Sequence, residues 1–336
     1  MPNLTPWLKS TITTGHRARP TRTAVAHRPP QHRIKMEGIP KYHELSHLFR
    51  DEQEALNYLI ANGVLEVPEF CHHCGADVQY KPNKKHRVRC NSTSCAHSRG
   101  GRWSQSILQG SFLQGSRLKA NVMLEFLYKF VVGTTHTELM AHFGWSSKTA
   151  TDWLKFAQEL LGRMVLEDVD NHKIGGYGVV VQLDESKFGK RKYHRGHRVE
   201  GVWVFGGVEK TPERKCFLVP VEQRDRPTLH HWIKTFVKPG SVVVTDDWNA
   251  YKTMDELEGY DYIHEIVVHE REYVREDGAN TNTIEGTWAG VKRGVPVRKR
   301  TESAIRGCLT EFMWRRSHKG RLWAAMVEAL AAVRYQ

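Results

Sequence analysis

The sequence has no apolar run of about 18 residues, the length a helix needs to cross a bilayer, so no membrane-spanning segment is expected. No apolar leader opens the chain, so no secretory signal is expected either. Cysteine is scarce, with six in 336 residues, and four of them crowd together as Cys71, Cys74, Cys90 and Cys95. In the reducing compartment this implies, paired cysteines read as metal ligands rather than disulfides. Acid is missing altogether from residues 1–35, which carry Arg17, Arg19, Arg22, Arg28 and Arg33. The imbalance extends to the whole chain: 50 Lys and Arg against 37 Asp and Glu, a net charge of +13. That favours a polyanionic partner, nucleic acid first and an acidic membrane surface as its rival. Hydrophobic residues make up 40%, enough for most of the chain to fold. No internal repeat is present.

Residues 1–35 read as a disordered basic tail. Three roles fit it: an organelle transit peptide, a flexible DNA-binding arm, or sequence upstream of a natural start at Met36. We favour the last, because amphipathic patterning begins only after Met36. Residues 36–66 read as an N-terminal helical segment. In it Leu45, Leu48, Phe49, Ala55, Leu56, Tyr58 and Leu59 recur at helical spacing, and Asn62-Gly63 closes the run.

Residues 67–105 hold the pattern Cys71-x-x-Cys74 followed by Cys90-x4-Cys95. A Cys-x-x-Cys turn brings two sulfurs onto one metal with little strain. A second pair on a neighbouring hairpin completes a four-thiolate site, the usual structural zinc geometry. A zinc ribbon is therefore expected, with the ion supplying much of its folding energy. Its job would be DNA contact or protein docking. Residues 115–165 read as three helices, Arg117–Phe130, Thr134–His142 and one that Ser146 caps. The third carries Ala150, Trp153, Leu154, Ala157, Leu160 and Leu161 on one stripe. Lys148 and Lys155 lie on the opposite face. That layout fits a helix-turn-helix whose last helix enters the major groove, or an ordinary helical bundle.

From Gly175 strands and helices alternate. Val179–Asp184 reads as a strand ending in a carboxylate, Val199–Val208 and Cys216–Val221 as the next two strands, and Thr228–Val237 as a helix. Ser241–Asp246 is a fourth strand, again ending in a carboxylate. Asp246 is preferred over Asp247 because it shares the face of Val242 and Val244. Tyr262–His269 reads as a fifth strand. Asn282 reads as the cap of a helix on which Glu285 occupies the capping-box position and Ile284, Trp288 and Val291 form the core stripe. This is the element order of an RNase H-like fold, whose first and fourth strands lie side by side. The expected architecture is therefore α/β: an RNase H-like catalytic core over 175–316, preceded by the zinc ribbon and the helix-turn-helix segment and followed by a C-terminal helix over 317–336.

In that core Asp184, Asp246 and Glu285 would converge. Three carboxylates suit two hard divalent cations, Mg2+ or Mn2+, which serve in-line phosphoryl transfer. Each acid alone has an ordinary reading as a turn or cap residue; their joint placement carries the expectation. Lys292, two turns from Glu285, would hold a phosphate or simply be solvated. The run Lys190, Arg191, Lys192, Arg195 and Arg198 would track a DNA backbone or form a solvated rim. Trp203, Trp232 and Trp248 read as core.

The strings Leu-Asp-Glu-Ser (183–186), Trp-Val-Phe-Gly (203–206), Thr-Asp-Asp-Trp-Asn-Ala-Tyr (245–251), Thr-Asn-Thr-Ile-Glu-Gly-Thr-Trp (281–288) and Glu-Phe-Met-Trp-Arg-Arg (311–316) resemble the Merlin family of eukaryotic DNA transposases. They also resemble the related bacterial insertion-sequence transposases with an N-terminal zinc ribbon. The resemblance spans roughly residues 40–316. It implies a DDE triad on Asp184, Asp246 and Glu285, with all three acids present. It also implies cleavage at terminal inverted repeats and strand transfer into target double-stranded DNA by a homo-oligomer, a dimer by default. The location would be nuclear in a eukaryote, which is favoured, or the nucleoid in a bacterium. Two other functions fit the same residues: a transposase-derived DNA-binding regulator without catalysis, and an RNase H-like nuclease that cuts without joining.

Overall fold

The computed structural model describes residues 38–81, 86–93, 95, 103–167, 172–189, 201–267 and 282–335. The basic stretch 1–35, Met36 and the run Lys190, Arg191, Lys192, Arg195 and Arg198 lie outside them. Among the described residues no helix is long and apolar enough to cross a membrane.

The first helical segment is two helices, α1 (Tyr42–Arg50) and α2 (Glu52–Ala61). The break falls at Asp51, whose backbone is extended (φ −117°, ψ 123°) and whose carboxylate accepts the N–H groups of Gln53 at 2.7 Å and Glu54 at 3.0 Å. A capping carboxylate satisfies donors that the first turn of a helix cannot. Gly63, at φ 69°, follows the C-cap Asn62 as the sequence predicts. Next come an antiparallel strand pair, β1 (Arg87–Arg89) with β2 (Ser104–Ser106), and the helices α3 (Ala120–Val131), α4 (His136–Phe143) and α5 (Ser147–Glu167). Thr135 and Glu138 form a reciprocal capping box on α4. Ser146 Oγ accepts from Thr149 N at 3.1 Å, the expected cap of α5.

The remaining elements are β3 (Ile174–Gly175), β4 (Val180–Phe188), β5 (Val202–Glu209), β6 (Cys216–Val221), α6 (Arg226–Phe236), β7 (Val237–Lys238), β8 (Val242–Thr245), β9 (Ile263–Ile266), α7 (Asn282–Gly294), α8 (Glu302–Ser317) and α9 (Leu322–Ala332). The main sheet has the order β6-β5-β4-β8-β9. Its first three strands are antiparallel, and β8 and β9 run parallel to β4. Short β3 pairs parallel with β7. The protein is thus mixed α/β.

Alternation along β4 sends its two sets of side chains to opposite layers. On one face Phe217 of β6 stacks on Phe236 of α6, centroids 5.0 Å apart, and Phe205 of β5 lies against both Phe217 and Tyr251. On the other face α7 and α8 cover the sheet: Phe188 meets Trp288 at 6.2 Å, and the backbone N–H of Leu218 donates to Met313 Sδ at 3.1 Å. The N-terminal helices dock on this core through α8. Gln158 of α5 donates to Glu311 at 2.9 Å, and Arg315 donates to the carbonyls of Phe130 and Val131, both at 2.7 Å, ending α3.

Three expectations need correction. β4 does not end at Asp184; β5 pairs with it as far as Phe188, so the strand continues four residues further. Asn282 is already helical, so it is not the cap that the capping-box reading of Glu285 requires. Trp248 is not core: 44% of it is exposed, while Trp203 and Trp232 are partly buried.

Candidate active site

Asp184 stands where its parallel neighbour runs out. β8 pairs with β4 only over Val180–Gln182, opposite Val242–Val244. Continuing that register by two residues sets Asp184 level with Asp246, just past the C-terminal end of β8. Even-numbered positions of β4 face α7, and Trp288 there donates its indole N–H to Asp184 Oδ2 at 2.9 Å. The indole lies against the backbone of β5. A Cβ built on Gly206, the residue paired with Asp184, would meet Trp288 and Leu218 at 2.8 Å. Glycine at this position makes room for the ring that holds the acid.

The other two acids act on Asp184 electrostatically. Burial pushes the Asp184 carboxyl above its ordinary value; hydrogen bonds from Trp288 and from the Glu185 backbone oppose this, and the charges of Asp246 and Glu285 raise it further. Asp246 accepts the backbone N–H of Trp248 at 3.1 Å. Its own carbonyl accepts the Thr245 hydroxyl at 2.7 Å, and that hydroxyl lies 2.9 Å from His264 Nε2. Asp247 is fully on the exposed side, as the preference for Asp246 anticipates. Glu285 is exposed on the first turn of α7, next to the buried stripe Ile284, Thr287, Trp288 and Val291. Fully buried Gln182 accepts Ile284 N at 2.9 Å and so fixes that turn to β4.

Carboxylates that repel one another in this way have the donor chemistry of a site for hard divalent cations. Their oxygens do not gather onto a single point: among the described residues only the cysteine quartet brings three or more ligand atoms within 4.8 Å of one another. Lys292 is half-buried beside them. Burial lowers its ammonium from the ordinary value, Arg300 lowers it too, and the charge of Asp184 acts in the opposite sense.

Sequence reasoning passed over four contributors: Gln182, Trp288 as a donor rather than core alone, and the pair Glu185 and Tyr251. Tyr251 OH donates to Glu185 Oε1 at 2.5 Å on the face of the sheet opposite α7. Burial pushes Glu185 up to about 7; the charges of Asp184 and Asp246 add to the rise, while Tyr251 and Arg224 oppose it. A buried polar residue inside an apolar strand was the available signal for Gln182. The others depend on cross-sheet neighbours that no local pattern reveals.

The cysteines meet as their spacing predicts. Cys71 and Cys95 sulfurs are 3.7 Å apart, and Cys74 and Cys90 sulfurs 3.6 Å. Four thiolates around a zinc ion at about 2.3 Å would stand roughly 3.8 Å from one another, so this quartet could hold zinc. The first turn closes with Gly75 at φ 68°, its N–H donating to Cys71 O at 2.9 Å. The N–H of His73 points at Cys71 Sγ, 3.4 Å away, which favours the thiolate. Lys148 and Lys155 are exposed on α5, and Lys148 pairs with Asp152 at 2.6 Å. Lys190, Arg191 and Lys192 fall outside the described residues.

A search of curated proteins returned no match. Residues 162–317 match a family model described as an ISXO2-like transposase domain. The match runs from within α5 to the last residue of α8 and so takes in the whole main sheet and all three acids. It bears out the resemblance to bacterial insertion-sequence transposases. The part of this chain that builds the sheet and carries Asp184, Asp246 and Glu285 is thus similar to an ISXO2-like transposase domain, which supports a DDE transposase of the bacterial insertion-sequence type.

Proposed function

We propose that the protein is a DNA transposase that cuts the terminal inverted repeats of its element and joins the freed ends to target double-stranded DNA. The observation that carries this reading is the charge of Asp246 and Glu285 bearing together on Asp184 at the end of β8. The order β6-β5-β4-β8-β9, antiparallel and then parallel, supports an RNase H-like core over 175–316.

In this reading Asp184, Asp246 and Glu285 hold two Mg2+ or Mn2+ ions. The ions, when bound, supply activation of water or a 3′-hydroxyl and stabilisation of the leaving oxygen. Sites for ions about 4 Å apart need carboxylates spread between them rather than drawn to one centre. Trp288 fixes the orientation of Asp184. Gln182 fixes the turn that carries Glu285. Lys292 neutralises a phosphate beside Asp184, and Lys190, Arg191 and Lys192 track the DNA backbone. The quartet Cys71, Cys74, Cys90 and Cys95 holds a structural zinc in a ribbon over 67–105. Residues 115–165 form a helix-turn-helix module that presents Lys148 and Lys155 to DNA. Residues 36–66 and 317–336 brace these parts, and two copies of the chain pair two element ends. The compartment is the one that holds the element's DNA.

The test uses purified, zinc-loaded protein with Mn2+ or Mg2+, its element ends and a supercoiled target. We expect cleaved ends and joined products, and we expect Asp184→Ala to bind ends without either. Cutting that never leads to joining would make the protein a nuclease. End binding with no chemistry would make it a regulator. Cleavage by Asp184→Ala at the wild-type rate would remove the acids from the mechanism.

A further inference from the structure

Among the described residues tryptophan is mostly buried or partly buried. Trp314 is 1% exposed and Trp288 and Trp323 are 5% exposed, against 44% for Trp248. An indole left open to water forgoes the burial that stabilises the others, so its place calls for a reason. Trp248 is also held firmly. Its backbone N–H is bound to Asp246 Oδ1, two residues away, and its indole N–H points at Arg224 O, 3.5 Å off.

Around it lies a cationic, aromatic surface. The Arg224 guanidinium sits 3.7 Å from the centroid of Trp203 and 5.3 Å from that of Trp248, and Lys187 Nζ lies 5.2 Å from Trp203. Lys187 and Trp203 are direct partners across β4 and β5. Among the described residues no carboxylate lies within ion-pair distance of Arg224 or Lys187, although the Arg224 charge bears on Glu185 from further off. Lys187 is three residues along β4 from Asp184, a rise of about 10 Å, and its odd position puts it on the opposite face of the sheet. The link to the acids is Trp248, whose backbone N–H reaches Asp246 Oδ1 at 3.1 Å.

We infer that Trp248, Trp203, Arg224 and Lys187 form a platform for an unpaired nucleotide beside the acidic site, with the base stacked on Trp248 and its phosphate held by Arg224 and Lys187. The inference deepens the transposase reading and rests on it for the identity of the polyanion as DNA. Rings flanked by cations are how proteins take single strands, because every base has a face to stack and every linkage a charge. A base inside a duplex already has both faces covered and cannot reach Trp248. Where the last pairs of an end open beside the acids, the freed base has the indole to stack on.

The test compares binding of a fluorescein-labelled oligothymidylate and a fluorescein-labelled blunt duplex to the full zinc-loaded chain, with no Mg2+ or Mn2+ added so that no cutting occurs. Trp248→Ala retains the backbone N–H that Asp246 accepts. It is expected to weaken oligothymidylate binding about five- to hundredfold while leaving the duplex nearly unchanged, and Trp248→Phe is expected to restore most of the loss. Unchanged melting of each variant shows that the fold is intact. Equal binding of oligothymidylate by wild type and Trp248→Ala would overturn the platform. So would an equal loss on both probes, or a change of oligomeric state with no change in strand preference, which would assign Trp248 to a protein contact. The two readings fail separately. If the wild type cuts and joins but Trp248→Ala keeps its single-strand affinity, only the platform falls. If the wild type never cuts but the selective loss is seen, the platform stands and the transposase reading falls.

Discussion

Trp288 donates its indole N–H to Asp184 across the interface between α7 and the sheet, at 2.9 Å, from a ring that occupies the space a side chain on Gly206 would fill. One residue thus contributes to the core with its ring and to the acidic site with its edge. Trp288→Phe separates the two roles, because it retains most of the ring and loses the donor. A hydrogen bond to a charged group contributes about 1.5–3 kcal/mol, so melting should fall by a corresponding few degrees. DNA cleavage should fall roughly tenfold as Asp184 loses its fixed orientation. Cleavage at the wild-type rate would show that the bond does nothing for the chemistry.

Gly206 and Gly286 make a contrasting pair. A Cβ at Gly206 would lie 2.8 Å from both Trp288 and Leu218, while one at Gly286 would meet nothing within 4 Å. Gly206→Ala should cost about 1–3 kcal/mol through overpacking and should lower cleavage as Trp288→Phe does. Gly286→Ala lies within helix α7 and should stabilise it by up to about 1 kcal/mol. Chemical denaturation of the two variants gives the comparison; equal stabilities would mean that the space around Trp288 is not limiting.

The cysteine quartet predicts a local dependence on metal. Purified protein should contain about one zinc ion per chain, and Cys74→Ser should lose it. Hydrogen exchange should then speed up over the described parts of 69–107 and stay slow in β4, β5 and β8, whose hydrogen-bonded ladders include none of the four cysteines. Uniform loss of protection would mean that the ribbon and the sheet fold as one unit.

His264 predicts a pH dependence. Burial lowers its imidazole from the ordinary value of 6.5. The Thr245 hydroxyl donates to Asp246 O, which leaves its oxygen to accept from His264 Nε2, and burial is what favours the neutral ring. The unfolded chain therefore takes up a proton near pH 6.5 and the folded chain only at lower pH. The contribution of His264 is present above about 6.5 and is lost as pH falls below it. His264→Gln keeps a donor and cannot titrate. The melting temperature of the wild type should drop more between pH 7.5 and 5.5 than that of His264→Gln; parallel drops would show that His264 is not the titrating group.

Much of this site was legible in the sequence because period-two and helical patterns are local. The parity that joins Asp246 to Val242 and Val244, and the stripe of Ile284, Trp288 and Val291, needed only their own segments. The cysteine spacing named its quartet for the same reason. The break at Asp51 was also readable, since an aspartate with Glu54 three residues on is a capping pattern; the hydrophobic stripe running through it concealed the signal. The course of β4 beyond Asp184 was written in the alternation of Ser186 and Phe188, both buried. Gly206 and Glu185 were not readable, because each matters through a partner more than 60 residues away; Gln182 stood out only as a polar residue in an apolar strand, and its partner Ile284 is as distant. Trp248 misled because an aromatic next to an apolar strand usually lies in the core.

The central claim is that Asp184, Asp246 and Glu285 act as one metal-dependent site. The most direct measurement is the rate of element-end cleavage in Mn2+ by wild type and by Asp184→Asn, Asp246→Asn and Glu285→Gln, each checked for folding and end binding. The account predicts that each single variant binds ends but cuts them roughly a thousandfold or more slowly, because the acids work as a unit. A variant of any one of the three that cuts within about tenfold of the wild type would contradict it.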